Sequence, residues 1–173
     1  MKWNALLIAT VVLIMVGVAV VPALASGGVN SDLAQVRRAT AAYQSIPAAM
    51  AAGYHLVPGL DYCFDNPGVG GMGVHYINTS LLDTVVDPLK PEALVFDFAG
   101  HGIYKFVAVE YIVPISAWDA THTQPPSLFG QTFGRNPDLG VYALHAWIWF
   151  PNPSGMFSDW NPRISQCKLA PAP

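Results

Sequence analysis

Two segments of strand-forming residues, 103–113 and 141–150, constrain the fold of this chain more than any other feature. They read IYKFVAVEYIV and VYALHAWIWF. Because β-branched and aromatic side chains pack well on a pleated surface, both segments predict long strands. The shorter segments 74–78 and 93–98 predict two more strands, and His101 with its flanking glycines predicts a hairpin turn after the second of them.

The residues before these strands predict two helices. Apolar positions at helical spacing indicate a helix over 32–44, with Ser31 as its N-cap. Pro47 suits the first turn of a second helix over 47–52, and Gly53 suits its end. Helices followed by antiparallel strands indicate an α+β domain, in which the two helices pack on an antiparallel, aromatic-rich sheet that can curl towards a barrel.

Two further segments are predicted to be connections. The segment 54–73 is rich in Pro, Gly, Asp and Asn, which mark turns. The segment 114–140 has no periodicity and contains several prolines. A connection of that length is often functional, so this one is expected to be either a lid over a site or a simple wrap around the domain.

The N-terminus has the order of a secretory signal. Lys2 precedes an apolar run over 5–21, and small residues then occupy the two positions that signal peptidase reads. The alternative is an uncleaved membrane anchor, although the run is short for a span of about 20 residues. Residues 1–25 are therefore predicted to be a signal peptide, and 26–173 a single globular domain that is secreted or held in the cell envelope.

The charge of the chain narrows the class of partner. The formal net charge is −3, and the basic residues do not cluster beyond Arg37 and Arg38. Because binding to nucleic acid needs clustered Lys and Arg, that class of partner is excluded. A small molecule remains as the candidate partner, and contact with a membrane is expected only through an uncleaved signal segment.

The two cysteines, Cys63 and Cys167, predict a disulfide, because an even pair in an exported protein is typically bonded. The bridge would tie the C-terminal tail to the segment after the helices. It would close a loop of roughly 100 residues, which the chain-entropy model values at about 4–5 kcal/mol. The alternative is two separate thiols.

Glu110 is the most informative single residue, because it lies in the middle of an apolar strand. It shares a predicted strand face with Phe106 and Ile112. A buried carboxylate must be paired, protonated or bound to a metal. The alternatives are a position that faces water and a structural ion pair with Arg135 or Arg163.

Two histidines raise the same question on other strands. His145 shares a predicted face with Trp147 and Trp149, and His75 follows a glycine-rich segment and precedes Tyr76. A shielded imidazole needs a partner for at least one ring nitrogen. The other three histidines, which are predicted to be less central, are His55, His101 and His122.

His75, Glu110 and His145 lie on three predicted strands, so their side chains converge if those strands are neighbours in matching register. Two imidazoles and one carboxylate bind Zn²⁺, Fe²⁺, Mn²⁺ or Cu²⁺ and leave positions open for water or substrate. The leading hypothesis is a secreted metal-binding protein, extended to a metalloenzyme for a small molecule with Glu110 and His145 as catalytic residues. The alternatives are hydrogen-bonded core residues and a metal-free acid–base pair.

The aromatic residues support a rival hypothesis. Tyr76, Trp147 and Trp149 could line a pocket for a small apolar or sugar-like ligand in a non-catalytic binding domain. A cell-envelope interaction domain is a third hypothesis. Metal content separates the first hypothesis from the other two.

Four blocks of the chain carry a resemblance. They read GMGVHYIN (71–78), DPLKPEALVF (87–96), VEYIVP (109–114) and LHAWIWFPNPSGMF (144–157). In these blocks the chain resembles an uncharacterised family of exported bacterial proteins, over most of its length after the signal. The resemblance implies a bacterial source and a stand-alone domain, and it implies no activity, cofactor or site.

Overall fold

The computed structural model describes residues 28–164. The predicted signal peptide and Cys167 lie outside the described residues, so export and the disulfide with Cys63 stay predictions. No helix in the described part of the chain is both long and apolar enough to cross a membrane.

Two helices, α1 (Val29–Thr40) and α2 (Ile46–Ala51), confirm the predicted helical start of the domain. A single 3₁₀ turn continues α1 over the residues that were predicted to complete it. Ser31 lies inside the first turn of α1, so its prediction as the N-cap is wrong. Gly28 precedes the helix in an extended conformation and caps it without a side chain. Ser45 caps α2 through its hydroxyl oxygen.

The described residues form an antiparallel sheet of six strands that curls into a half-barrel, which confirms the predicted α+β architecture. The sheet order is β1-β2-β3-β4-β8-β7, and β5 and β6 form a separate small hairpin. The strands are β1 (Cys63–Asn66), β2 (Gly70–Ile77), β3 (Ala93–Phe98), β4 (Tyr104–Pro114), β5 (Ser127–Leu128), β6 (Gln131–Thr132), β7 (Gly134–Asn136) and β8 (Val141–Ala146).

The glycine-rich start of the sheet differs from the prediction. β1 lies inside the segment that was predicted to be a loop, and β2 begins at Gly70 rather than at Val74. Gly73 shows why glycine is needed within a strand here. A Cβ on Gly73 would lie 2.7 Å from the carbonyl oxygen of Phe96, and the φ angle of Gly73 is +101°. Glycines that indicated turns therefore permit close approach between strands.

The last strand is shorter than predicted. β8 ends at Ala146, and the N–H of Trp149 then donates to the Val107 carbonyl at 3.1 Å. The chain turns at this point instead of continuing along the sheet. The predicted alternation, which placed Trp147 and Trp149 on the same face as His145, therefore stops with the strand.

The long segment 114–140 contains more regular structure than predicted. It holds α3 (Ile115–Asp119), the β5–β6 hairpin and β7. These elements have two to five residues each, which is too short to produce a periodic sequence pattern. Phe129 and Phe133 are buried within the main apolar core, so this segment wraps the domain as part of its packed body.

The two faces of the sheet are packed differently. One face forms a continuous apolar cluster with α1 and α2, here called the helix-side core, which includes Leu33, Val36, Leu94, Phe96, Val109, Tyr111 and Leu144. The other face, here called the second face, carries two smaller apolar clusters. Their buried members are Val95, Val107, Ala108, Trp147 and Ile164 in one, and Ile77, Ala93 and Ile112 in the other.

Candidate metal centre

Strand register brings the three predicted ligands together on the second face. Glu110 on β4 lies directly opposite His145 on β8. His75 lies on β2, on the far side of β3. The β3 residues opposite Glu110 and His75 are Ala93 and Val95, which are small enough for the longer side chains to meet above them. The three side chains converge as predicted, although β3 separates β2 from β4.

The donor atoms of this cluster lie close to one another. His75 Nε2 is 3.3 Å from Glu110 Oε2 and 3.3 Å from His145 Nε2. His145 Nδ1 is 3.6 Å from Glu110 Oε1. One ligand atom from each residue can be chosen so that all three lie within 4.8 Å of one another. The group can therefore hold a metal ion.

The cluster is shielded from water. His75 is 5% exposed, Glu110 is 8% exposed and His145 is 1% exposed. The rings of His75 and Phe64 are nearly perpendicular, with centroids 5.2 Å apart. Trp147 lies nearly parallel to His145, with centroids 6.0 Å apart and an angle of 14° between the planes. A charge in such surroundings interacts more strongly with its neighbours than it would in water.

The two imidazoles differ in proton affinity. Burial lowers the pKa of His75 to about 4, with a smaller contribution from His145 and against the attraction of Glu110. Burial also disfavours the charged form of His145, but Glu110 and Asp159 outweigh it and raise the pKa of His145 above its ordinary value. At neutral pH the ring of His75 is therefore uncharged and has a lone pair available.

Two of the donor–donor distances match those of tetrahedral coordination. Two ligand atoms at 2.0–2.1 Å from a tetrahedral Zn²⁺ lie about 3.3–3.4 Å apart. The contacts from His75 Nε2 to Glu110 and to His145 both have this length. Two imidazoles and one carboxylate also leave at least one position of a four-coordinate ion for water or substrate.

The structure removes two alternatives for Glu110. It is buried, so it does not face water. In the described part of the chain its oxygens lie 3.3 Å from a nitrogen of His75 and 3.6 Å from a nitrogen of His145, whereas Arg135 and Arg163 are exposed and form no ion pair with it. Its carboxyl group therefore faces the two imidazoles.

An ordinary hydrogen-bonded core role fits His145 poorly. Its Nδ1 is buried and has no hydrogen-bond partner among the described residues. The nearest acids, Glu110 at 3.6 Å and Asp159 at 3.8 Å, lie just beyond hydrogen-bond length. Buried ring nitrogens are normally satisfied, so the Nδ1 atoms of His145 and His75 are exceptions among the buried polar groups.

The aromatic residues of the predicted ligand pocket are divided between two clusters. Tyr76 and Trp149 pack in the helix-side core, where Trp149 Nε1 donates to Thr40 at 3.2 Å. Trp147 packs on the second face beside His145. The three side chains thus contribute to packing on opposite faces of the sheet.

The remaining histidines lie away from the cluster. His55 is exposed and forms a backbone bridge to Ile77. His101 is exposed in the β3–β4 turn with a φ of 52°, as its predicted turn position requires. His122 stacks on Trp118 at 3.7 Å, beside an open cavity of about 550 Å³ that shares no lining residue with the cluster.

Sequence reasoning missed Asp159. It lies in the loop that follows β8, and its Oδ1 is 3.8 Å from His145 Nδ1. The Pro, Asn, Ser and Gly residues of that loop are typical of turns in which Asp and Asn side chains bond their own backbone, so Asp159 gave no sign of contact with a buried strand. The only available signal was that an acid followed the aromatic strand by a short distance along the chain.

Comparison of the chain with family models, with curated proteins and with solved structures gave no match. The resemblance to exported bacterial proteins therefore stays a prediction. A proposal about function must rest on the geometry of the buried cluster.

Proposed function

We propose that this protein binds one divalent transition-metal ion through His75, Glu110 and His145, and that the ion acts on a small molecule. The observation that carries the proposal is the convergence of three buried donors, within 4.8 Å of one another, from three strands of one sheet. The proposal includes the predicted location outside the cytoplasm.

The donor set narrows the ion to a class. Two imidazole nitrogens and one carboxylate oxygen suit Zn²⁺, Fe²⁺, Mn²⁺ and Cu²⁺ better than Ca²⁺ or Mg²⁺, which prefer oxygen ligands. An ion of this class supplies a Lewis acid or an activated water when an open position remains. Apolar walls around the cluster would keep bulk water from competing with a small substrate.

Two roles for Glu110 are compatible with its position. One of its oxygens lies 3.3 Å from His75 and the other lies 3.6 Å from His145. With an ion present it serves as a ligand. Without one, the same contacts would make it the orienting acid of a metal-free histidine base, so metal content decides between these two readings.

Metal analysis of protein purified without a chelator and without a polyhistidine tag tests the proposal. We expect about one ion per chain, and binding weakened by at least about 100-fold in His145→Ala and in Glu110→Gln, since each removes a ligand. His101→Ala removes an exposed histidine and serves as the matched control. At a free ion concentration 100 times the Kd, the ion should stabilise the wild-type fold by about 2.7 kcal/mol.

Metal-free wild-type protein whose stability is unchanged by added ion or by chelator would contradict the proposal. That result would leave the metal-free acid–base pair and the non-catalytic domain for a small ligand or an envelope partner. Equal loss of metal in His101→Ala would also contradict it, because the control lies outside the cluster.

A further inference from the structure

Asp159 is held in place by side chains on both sides of it. The carbonyl of Ser158 accepts a hydrogen bond from Trp147 Nε1 at 2.6 Å. The carbonyl of Trp160 accepts one from Asn152 Nδ2 at 3.0 Å. Hydrogen bonds therefore fix the backbone on either side of Asp159, and they hold the loop that carries its carboxylate.

Trp147 couples this loop to the buried cluster. Its ring lies nearly parallel to the imidazole of His145, and its Nε1 holds the residue before Asp159. It is also nearly completely buried. One buried side chain thus lies beside the imidazole and also holds the residue that precedes the acid.

The two nitrogens of His145 face different groups. Nε2 lies 3.3 Å from His75 Nε2, inside the cluster. Nδ1 lies 3.8 Å from Asp159 Oδ1 and 3.6 Å from Glu110 Oε1. The other oxygen of Glu110 contacts His75. Once the Glu110 carboxylate is committed to an ion, Asp159 is the acid that remains for the Nδ1 proton.

We infer that Asp159 is a positioning residue that accepts the Nδ1 proton of His145, so that His145 binds the ion through Nε2. This inference rests on the proposed metal site. A histidine that ligates a metal commonly donates its other N–H to a carboxylate, which fixes the tautomer and makes the ligating nitrogen more basic.

Because Asp159 is exposed, this role carries little desolvation penalty. Its side chain is 60% exposed, whereas that of His145 is 1% exposed. A carboxylate that remains hydrated avoids the desolvation penalty that a second fully buried acid would carry. The arrangement therefore supplies a negative charge at the outer nitrogen without adding another buried charge.

Zn²⁺ competition titrations of the full chain test the role of Asp159. We expect 10–100-fold weaker Zn²⁺ binding in Asp159→Ala, which removes the acceptor, and a smaller loss in Asp159→Asn, which removes only the charge. Asp138→Asn makes the same change of charge at an exposed residue of the turn before β8 and should leave the Kd unchanged. The thermal unfolding of the metal-free variants should match that of the wild type.

Nitrogen-15 NMR of the Zn²⁺-loaded protein gives a readout that loop packing alone would not change. We expect His145 to be protonated at Nδ1 and bound at Nε2. If the wild type binds Zn²⁺ and Asp159→Ala binds it with the same Kd, the inference is overturned and the metal site stays intact. Ligation of His145 through Nδ1 would have the same consequence. Wild-type protein that binds no Zn²⁺ overturns the inference, and overturns the metal site as well if no other divalent ion of the proposed class binds.

Discussion

The helix-side core and the second face are built on the same strands, yet they are packed on different principles. The helix-side core is one continuous apolar cluster. On the second face, the apolar residues form two small clusters, and Glu110 lies on β4 between a member of one, Ala108, and a member of the other, Ile112. Apolar packing is thus interrupted where the imidazoles meet the carboxylate.

The two faces therefore make different contributions to the protein. Burial of apolar area is the main favourable term in folding, and the helix-side core supplies most of it here. Buried ionisable groups carry desolvation penalties that their mutual contacts offset only in part. A fold made for stability alone would have continued the apolar packing across both faces. The second face is therefore the one on which function is to be sought.

Truncation of the helix-side core should have the largest effect on stability. Phe96 is completely buried and packs against Tyr76 and Phe106, with ring centroids 5.4 and 5.3 Å away. We expect Phe96→Ala to lower the free energy of unfolding by about 3–5 kcal/mol in urea titrations. The metal content per folded chain should stay constant, because Phe96 faces away from the cluster. Loss of metal from folded Phe96→Ala protein would show that the two faces are not separable.

Replacement of the cluster by apolar residues should change the free energy of unfolding in the opposite direction. The triple variant His75→Leu, Glu110→Met and His145→Leu joins the two small apolar clusters. Its metal-free stability should equal that of the wild type or exceed it by up to about 4 kcal/mol, with all metal binding lost. Glu110→Met alone is the control, and it should be destabilised because two imidazoles lose their acid. A triple variant less stable than this single variant would show that the polar cluster does not cost the second face stability relative to apolar packing.

A buried acid outside the cluster should produce a smaller effect that depends on pH. Glu92 is 3% exposed, and its Oε2 accepts a hydrogen bond from the Ile112 N–H at 2.9 Å. Burial raises the pKa of Glu92 from 4.5 to about 7, although this hydrogen bond opposes the shift. Between these values the folded chain binds more protons than the unfolded chain, so stability falls as pH rises from about 4.5 through about 7.

The substitution Glu92→Gln isolates this effect. It should remove up to about 3 kcal/mol of the stability that the wild type loses as pH rises from about 4.5 through about 7. Above pH 7 the variant should therefore be more stable than the wild type. Urea unfolding at pH 5 and at pH 8 measures the difference, with Asp138→Asn as the exposed-acid control. An unchanged pH dependence in Glu92→Gln would show that the Glu92 carboxyl ionises normally in the folded chain.

Much of the fold could be predicted from residue patterns, because strands as apolar as β3 and β4 have few alternatives. The bounds of β3 were predicted correctly, and those of β4 shifted by one residue. β1 could not be predicted, since four residues among prolines and glycines resemble a turn. The premature end of β8 depends on hydrogen bonds to the distant Val107, which no local pattern contains.

The candidate site was predictable in its members but not in its geometry. The alternation of side chains along a strand placed Glu110 and His145 each on one face of its own strand. Their direct pairing depends on register, which is set by loop lengths and packing across the whole sheet. Asp159 escaped prediction because its contact with His145 is made by a loop that is braced by tertiary hydrogen bonds.

Ala93 provides no ligand atom to the cluster, yet its methyl group lies on the strand over which the donors meet. It is completely buried on β3, opposite Glu110, and His75 must reach across its strand to meet the acid. A branched or aromatic side chain at this point would compete with the side chains of Glu110 and His75 for the space above β3. The acid of the proposed metal site thus lies beside the smallest side chain of a strand that provides none of the donors.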